Sequence, residues 1–164
     1  MTDPPTRFDP AALFATLSRH EVEYVTIGGI AIQAHGGQRL TQDLDVVIAS
    51  SGDNVARLAA ALLDLDARIL GPDGRRSASV PTAALLSSSD QWHLITDAGA
   101  LDVLTLPAHL GSFSDLRQRA HDVPLGEANV PIAHREDLLR MKRAAGRPQD
   151  LADVRLLESL DDGV

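Results

Sequence analysis

The sequence predicts an α/β (α+β) fold: a small mixed β-sheet flanked by helices, with a C-terminal helical pair. Three observations carry this. Short strand-like runs alternate with helix-like runs over the first half of the chain. Two further strand-like runs meet at Asp97-Ala98-Gly99, as in a hairpin. The C-terminal segment reads as helix throughout and is interrupted at Gly146-Arg147-Pro148.

The elements follow in order. Asp9-Pro10 is an N-cap followed by Pro at the first helical position, opening a helix to about His20. Residues 24–27 form a short strand ending at Gly28-Gly29. Residues 30–35 form a short helix that Gly36-Gly37 stops. Residues 43–48, Asp-Leu-Asp-Val-Val-Ile, form the second strand, and residues 54–65 an Ala/Leu-rich helix. Turn chemistry marks 71–79 as a loop, and 81–89 holds at most one or two helical turns. Strands at 92–96 and 100–105 make the hairpin, 114–121 is helical, and 130–133 is a last short strand. Helices over 135–145 and 148–160 close the chain. The 164 residues make one domain, with a core over 21–133 and the helices of 134–160 packed on it.

Composition narrows the function classes. Apolar residues make up 44% of the chain, enough for a packed core, and with aromatics at 3% that core is aliphatic. With no cysteine, disulfides and thiolate metal sites are excluded. No apolar run approaches the ~18 residues a membrane helix needs, so no membrane partner is expected. The N-terminus lacks the layout of a signal peptide, and the expected location is cytoplasmic. A net charge of −8 disfavours a broad nucleic-acid grip and implies that any anionic substrate is reached through cations.

The chemistry concentrates on Asp43 and Asp45. At i and i+2 on a strand they share a face, about 7 Å apart along it. Two carboxylates at the mouth of a buried strand are costly unless something cationic neutralises them. Hard divalent ions such as Mg²⁺ or Mn²⁺ fit, and paired divalent ions run in-line phosphoryl displacement. The bland alternative is a strand-edge cap beside a solvent-facing residue. Gly28-Gly29 lets backbone amides approach a phosphate; otherwise it is a tight turn. Arg39 and Thr41 alternate with Asp43 along an extended segment, offering a cation and a hydroxyl to a triphosphate; otherwise Arg39 is in a plain Arg–Asp ion pair. Asp102, between core-facing Leu101 and Val103, either joins the first pair or is an ordinary exposed strand residue. On a helical wheel Lys142 falls inside the apolar stripe of its helix, so it either snorkels out or reaches a polar pocket, while Arg140 and Arg143 are expected in solvent. The histidines His20, His35, His93, His109, His121 and His134 show no metal-ligand spacing and are expected to be structural or exposed.

The stretch Ile27-Gly28-Gly29-Ile30-Ala31 … His35-Gly36-Gly37-Gln38-Arg39-Leu40-Thr41-Gln42-Asp43-Leu44-Asp45-Val46-Val47-Ile48 resembles the nucleotidyltransferase superfamily, the polymerase-β-like fold. It is similar to the bacterial toxin-type members, the AbiEii-like toxins and their minimal relatives. The tail, Lys142 … Arg147-Pro148-Gln149-Asp150, is similar to the helical segment of the same group. The resemblance implies an enzyme that moves a nucleotide from a nucleoside triphosphate, with Mg²⁺ or Mn²⁺, to an acceptor such as RNA (tRNA), protein or a small molecule. It also implies a role in a toxin–antitoxin pair with a cognate antitoxin. It assigns Asp43, Asp45 and Asp102 to catalysis and metal, and Gly28, Gly29, Arg39, Thr41 and Lys142 to the nucleotide. The family's Gly-Ser turn is Gly28-Gly29 here, so the turn offers no hydroxyl. The alternative is an inactive nucleotidyltransferase-like binding or interaction module. Glycosyltransferases and haloacid-type phosphatases, which also carry Asp-x-Asp, fit less well: the apolar run follows Asp43 instead of preceding it, and the chain is short.

Overall fold

The structure, a computed structural model, describes residues 6–160; the first five residues, on which the reading of the N-terminus partly rests, and 161–164 lie outside the described residues. Helix α1 (Pro10–Arg19) starts where Asp9 accepts a hydrogen bond from the Ala12 amide. Strand β1 (Tyr24–Ile27) leads directly into α2 (Gly28–Ala34), which begins two residues earlier than the sequence implies because Gly28 and Gly29 are part of the helix. Strand β2 (Asp43–Ile48) has the predicted bounds. Helix α3 (Gly52–Asp64) starts earlier than predicted because Ser51, not a residue next to Asn54, caps it. Asn54 is instead fully buried. Its amide bonds the backbone of Glu23 and Ala49, tying α3 to the ends of β1 and β2.

The second half differs more. A two-residue strand, β3 (Arg68–Ile69), precedes the 71–79 loop. The ambiguous stretch is one helical turn, α4 (Ala83–Leu86), capped by Thr82 and fixed by the Trp92 indole donating to the Leu86 carbonyl. Strands β4 (Gln91–Thr96) and β5 (Gly99–Leu104) form the hairpin. Its turn is Asp97-Ala98 alone, because Gly99 takes φ +108 and pairs with Thr96. Helix α5 (Phe113–Arg119) stops short of His121, which opens β6 (His121–Leu125), a strand missing from the prediction; β6 pairs with β7 (Ala128–Ile132). Helices α6 (Arg135–Ala145) and α7 (Pro148–Glu158) meet at left-handed Gly146.

Among the described residues the strands form one mixed sheet in the order β3-β4-β5-β2-β1-β7-β6. Strand β2 runs antiparallel to β1 and parallel to β5. The centre is apolar on both sides: Val46, Val47 and Ile48 of β2 are all buried, together with Leu13, Phe14 and Leu17 of α1 and Leu58 and Leu62 of α3. The sheet edges, β3 and β6, are the strands the sequence concealed. β6 carries Pro124 and mostly exposed residues, as edge strands do. No helix among the described residues is long and apolar enough to cross a membrane.

Candidate functional site

At the start of β2 burial alternates: Asp43 and Asp45 are half-buried while Leu44 between them is buried. Parallel pairing places Asp45 directly beside Asp102 of β5. Adjacent strands lie about 4.8 Å apart, so this register converts a spacing in sequence into a cluster. Asp43, Asp45 and Asp102 each offer a carboxylate oxygen within 4.8 Å of the other two. Among the described residues no Lys or Arg forms an ion pair with any of them.

The cluster forms the floor of a cleft of about 580 Å³. All eight residues singled out by the sequence line it: Gly28, Gly29, Arg39, Thr41, Asp43, Asp45, Asp102 and Lys142. The glycines are required by close packing. Gly28 has φ +70, and a Cβ there would stand 2.1 Å from Asp45 Oδ2; one at Gly29 would stand 2.7 Å from Thr41 Cβ. The Thr41 hydroxyl lies 3.1 Å from Asp43 Oδ1 and holds that carboxylate in place.

Arg39 and Lys142 both line the cleft, and both are held by buried carboxylates of α7. Arg39 does not turn to the Asp43–Asp45 pair; its Nε donates to Asp153 Oδ1 at 2.9 Å. Lys142 does not snorkel: it reaches into the polar cleft, where its Nζ lies 2.9 Å from Asp153 Oδ2 and 3.3 Å from Asp150 Oδ1. Asp150 and Asp153 are 2% and 1% exposed and belong to the buried stripe of α7 with Val154 and Leu157. Arg147 completes the group through Asp150, 2.7 Å away. Burial opposes the charge on both carboxylates, but the hydrogen bonds from Arg147 and Lys142 to Asp150, and from Lys142 and Arg39 to Asp153, outweigh it and hold both below the usual carboxylate range. The rim of the cleft is thus a locked set of alternating charges. Arg140 and Arg143 are exposed, as expected, and pair with Asp137 and Glu158.

The sequence also hid His93. Its Nδ1 lies 2.9 Å from Asp102 Oδ1, because the tight hairpin puts His93 directly opposite Asp102. A three-residue turn would have placed Leu94 there. The signal was the turn length, since Gly99 can pair with Thr96 only in a two-residue turn.

Electrostatically the cluster is under strain. Burial, the charges of Asp43 and Asp102, and a hydrogen bond with Asp102 push the Asp45 carboxyl up to about 7; Lys142 pulls the other way. Three hard oxygen donors, with no Lys or Arg paired to them among the described residues and one of them reluctant to ionise, fit a small divalent cation.

No protein-family model matches the sequence, and no characterised protein matches it by sequence. Solved structures do match. The lincosamide antibiotic adenylyltransferase LnuA, lincomycin-bound, superposes with a TM-score of 0.61 at 14% identity over 94% of this chain and 99% of that one. ANT(2'')-Ia in complex with adenylyl-2''-tobramycin gives 0.57 at 15% over 89% and 83%. An antigenic nucleotidyltransferase-like protein from Paracoccidioides brasiliensis gives 0.51 at 17% over 90% and 72%. The chain therefore has the nucleotidyltransferase fold that its resemblance implied.

Proposed function

We propose that the protein is a metal-dependent nucleotidyltransferase that moves a nucleotide from a nucleoside triphosphate, ATP among the candidates, to an acceptor hydroxyl. The observation that carries this reading is the convergence of Asp43, Asp45 and Asp102 on the floor of a cleft rimmed by Arg39, Lys142 and Arg147. The three carboxylates would hold Mg²⁺ or Mn²⁺. Such an ion, when bound, neutralises phosphate charge and lowers the pKa of an attacking hydroxyl.

The chain's own residues supply the rest. Arg39, Lys142 and Arg147 attract the triphosphate to one end of the cleft, and Gly28 and Gly29 let it approach the backbone closely. Thr41 keeps Asp43 oriented. The acceptor oxygen attacks the α-phosphorus, the bond to the β-phosphate bridge breaks, pyrophosphate leaves, and Asp102 takes the hydroxyl proton. The likeness to toxin-type members extends the reading to a cytoplasmic protein with a cognate antitoxin.

Calorimetry tests the core of this. Nucleoside triphosphate should bind in Mg²⁺ and lose most of its affinity in chelator; equal affinity in both would refute the reading.

Asp45 adds a pH signature. Its folded pKa of about 7 lies above the ordinary 3.8, so its contribution to stability is fully present below the unfolded value and is lost as pH rises through about 7. In chelator the melting temperature should therefore fall between about pH 5 and pH 8. Saturating Mg²⁺ should restore several degrees at the upper end and little at the lower, because protons compete with the ion for the same oxygens. Asp45→Asn should flatten the curve in chelator. Scanning fluorimetry reads all three, and an Mg²⁺ shift independent of pH would contradict the assignment.

A further inference from the structure

The sequence contains 15 Lys and Arg residues. Among the described residues, all but Arg7, Arg76 and Arg155 are ion-paired with carboxylates. Those three stand on separate elements, the segment before α1, the loop after β3 and α7, and none lines the cleft. The unpaired cations among the described residues therefore form no basic track leading to the site, and the chain as a whole carries −8.

The cleft itself is asymmetric. Its three lining cations, Arg39, Lys142 and Arg147, lie on the side formed by the α2–β2 connection and the α6–α7 pair. Across the carboxylates, the side formed by β4, β5 and the turn at Ala108–Leu110 presents Gln91, His93, Pro107, His109 and Leu110 around Asp102, with no Lys or Arg. Arg140 donates to the carbonyl of Leu110 at the edge of this side, but it is paired with Asp137 and does not line the cleft. The triphosphate, the most anionic component, belongs on the cationic side, which leaves the cation-free side to the acceptor.

Acceptor strands of nucleic acid are held mainly through phosphates by Lys and Arg, and each phosphate contact without such a partner weakens binding. The side around Asp102 offers none. It offers instead hydrogen-bonding groups, apolar surface and a carboxylate, within a cleft of a size usual for small-molecule sites. A protein with this net charge also draws small cations toward such a cleft and repels polyanions. On this basis, and resting on the nucleotidyl-transfer reading above, we propose that the acceptor is a small neutral or cationic hydroxyl compound, of the amino-sugar or amino-alcohol class, bound between Gln91, His109 and Asp102. The hydroxyl is esterified to the α-phosphate, pyrophosphate leaves and the proton passes to Asp102.

The test offers the full chain, Mg²⁺ and α-³²P-labelled nucleoside triphosphates two acceptor pools in parallel. One is total RNA. The other is a metabolite extract free of protein and nucleic acid, supplemented with tobramycin as a cationic polyhydroxyl probe. Label should enter the small-molecule pool and not RNA. Label in RNA, or in neither pool while calorimetry still shows Mg²⁺-dependent nucleotide binding, overturns the inference and leaves nucleotide binding standing. Loss of that binding overturns the parent reading and the inference together. A charge test follows on the labelled compound: Gln91→Lys and His109→Lys, both at exposed positions, should raise the acceptor KM roughly tenfold for a cationic acceptor while leaving the nucleotide Kd unchanged. An acceptor KM that falls in these variants points to an anionic acceptor and refutes the proposal.

Discussion

Asp102→Asn should nearly abolish transfer while leaving the fold and Mg²⁺-dependent nucleotide binding largely intact. The substitution keeps the size of the side chain and a partner for His93, but it removes the charge and the ability to take a proton. A positioned general base contributes ~10²–10⁴-fold, and loss of a cation ligand adds to that. Asp43→Asn and Asp45→Asn should differ in kind, losing nucleotide binding together with transfer, because those two lie beside Gly28 and Thr41, which on the proposed reading face the nucleotide. Single-turnover labelling combined with calorimetry separates the two outcomes. Near wild-type transfer by the Asp102→Asn protein would remove Asp102 from the mechanism.

The second large effect concerns stability. Asp153→Ala should destabilise the protein by about 3–5 kcal/mol, the cost typical of removing one partner from a buried charge group. Asp153 is 1% exposed and binds both Arg39 and Lys142, so its loss leaves two cations at the cleft rim facing each other with one anion fewer. Lys142→Ala should also lower the melting temperature, since it deprives two buried carboxylates of their shared cation; weakened nucleotide binding would come with it. A double variant, Asp153→Ala with Lys142→Ala, should recover part of the loss. Chemical denaturation of the four proteins gives the coupling. A change within about 0.5 kcal/mol for Asp153→Ala would show that the group contributes no more than surface pairs do.

The comparison of these residues with the sequence shows where local pattern is informative. Strand β2 was legible to its end residues because two acids, one apolar spacer and an apolar run leave few other arrangements. The break between α6 and α7 was legible because Gly146 and Pro148 each act locally. The edge strands were not: β6 contains Pro124 and is mostly exposed, so it lacks an apolar alternation, and its identity comes from pairing with β7. His93 was missed through a one-residue error in hairpin register, which changes which side chain stands opposite Asp102. For Lys142 the wheel found the right face but not the partners. Those were encoded in α7, where Asp150 and Asp153 occupy the buried i, i+3 positions that Val154 and Leu157 continue.

The pairing of β2 with β5 is parallel, so no tight turn can join the two strands; the chain must first run out through α3, β3, α4 and β4 and return. Contacts of such long sequence separation carry a large loop-closure cost and belong to slow steps of folding. The acids of β2 and β5 therefore stay far apart in the early ensemble, and their mutual repulsion is felt only when the ladder zips. The carboxylate floor of the cleft thus forms only with this long-range ladder, and on the proposed reading a bound divalent ion would relieve the repulsion that the ladder creates.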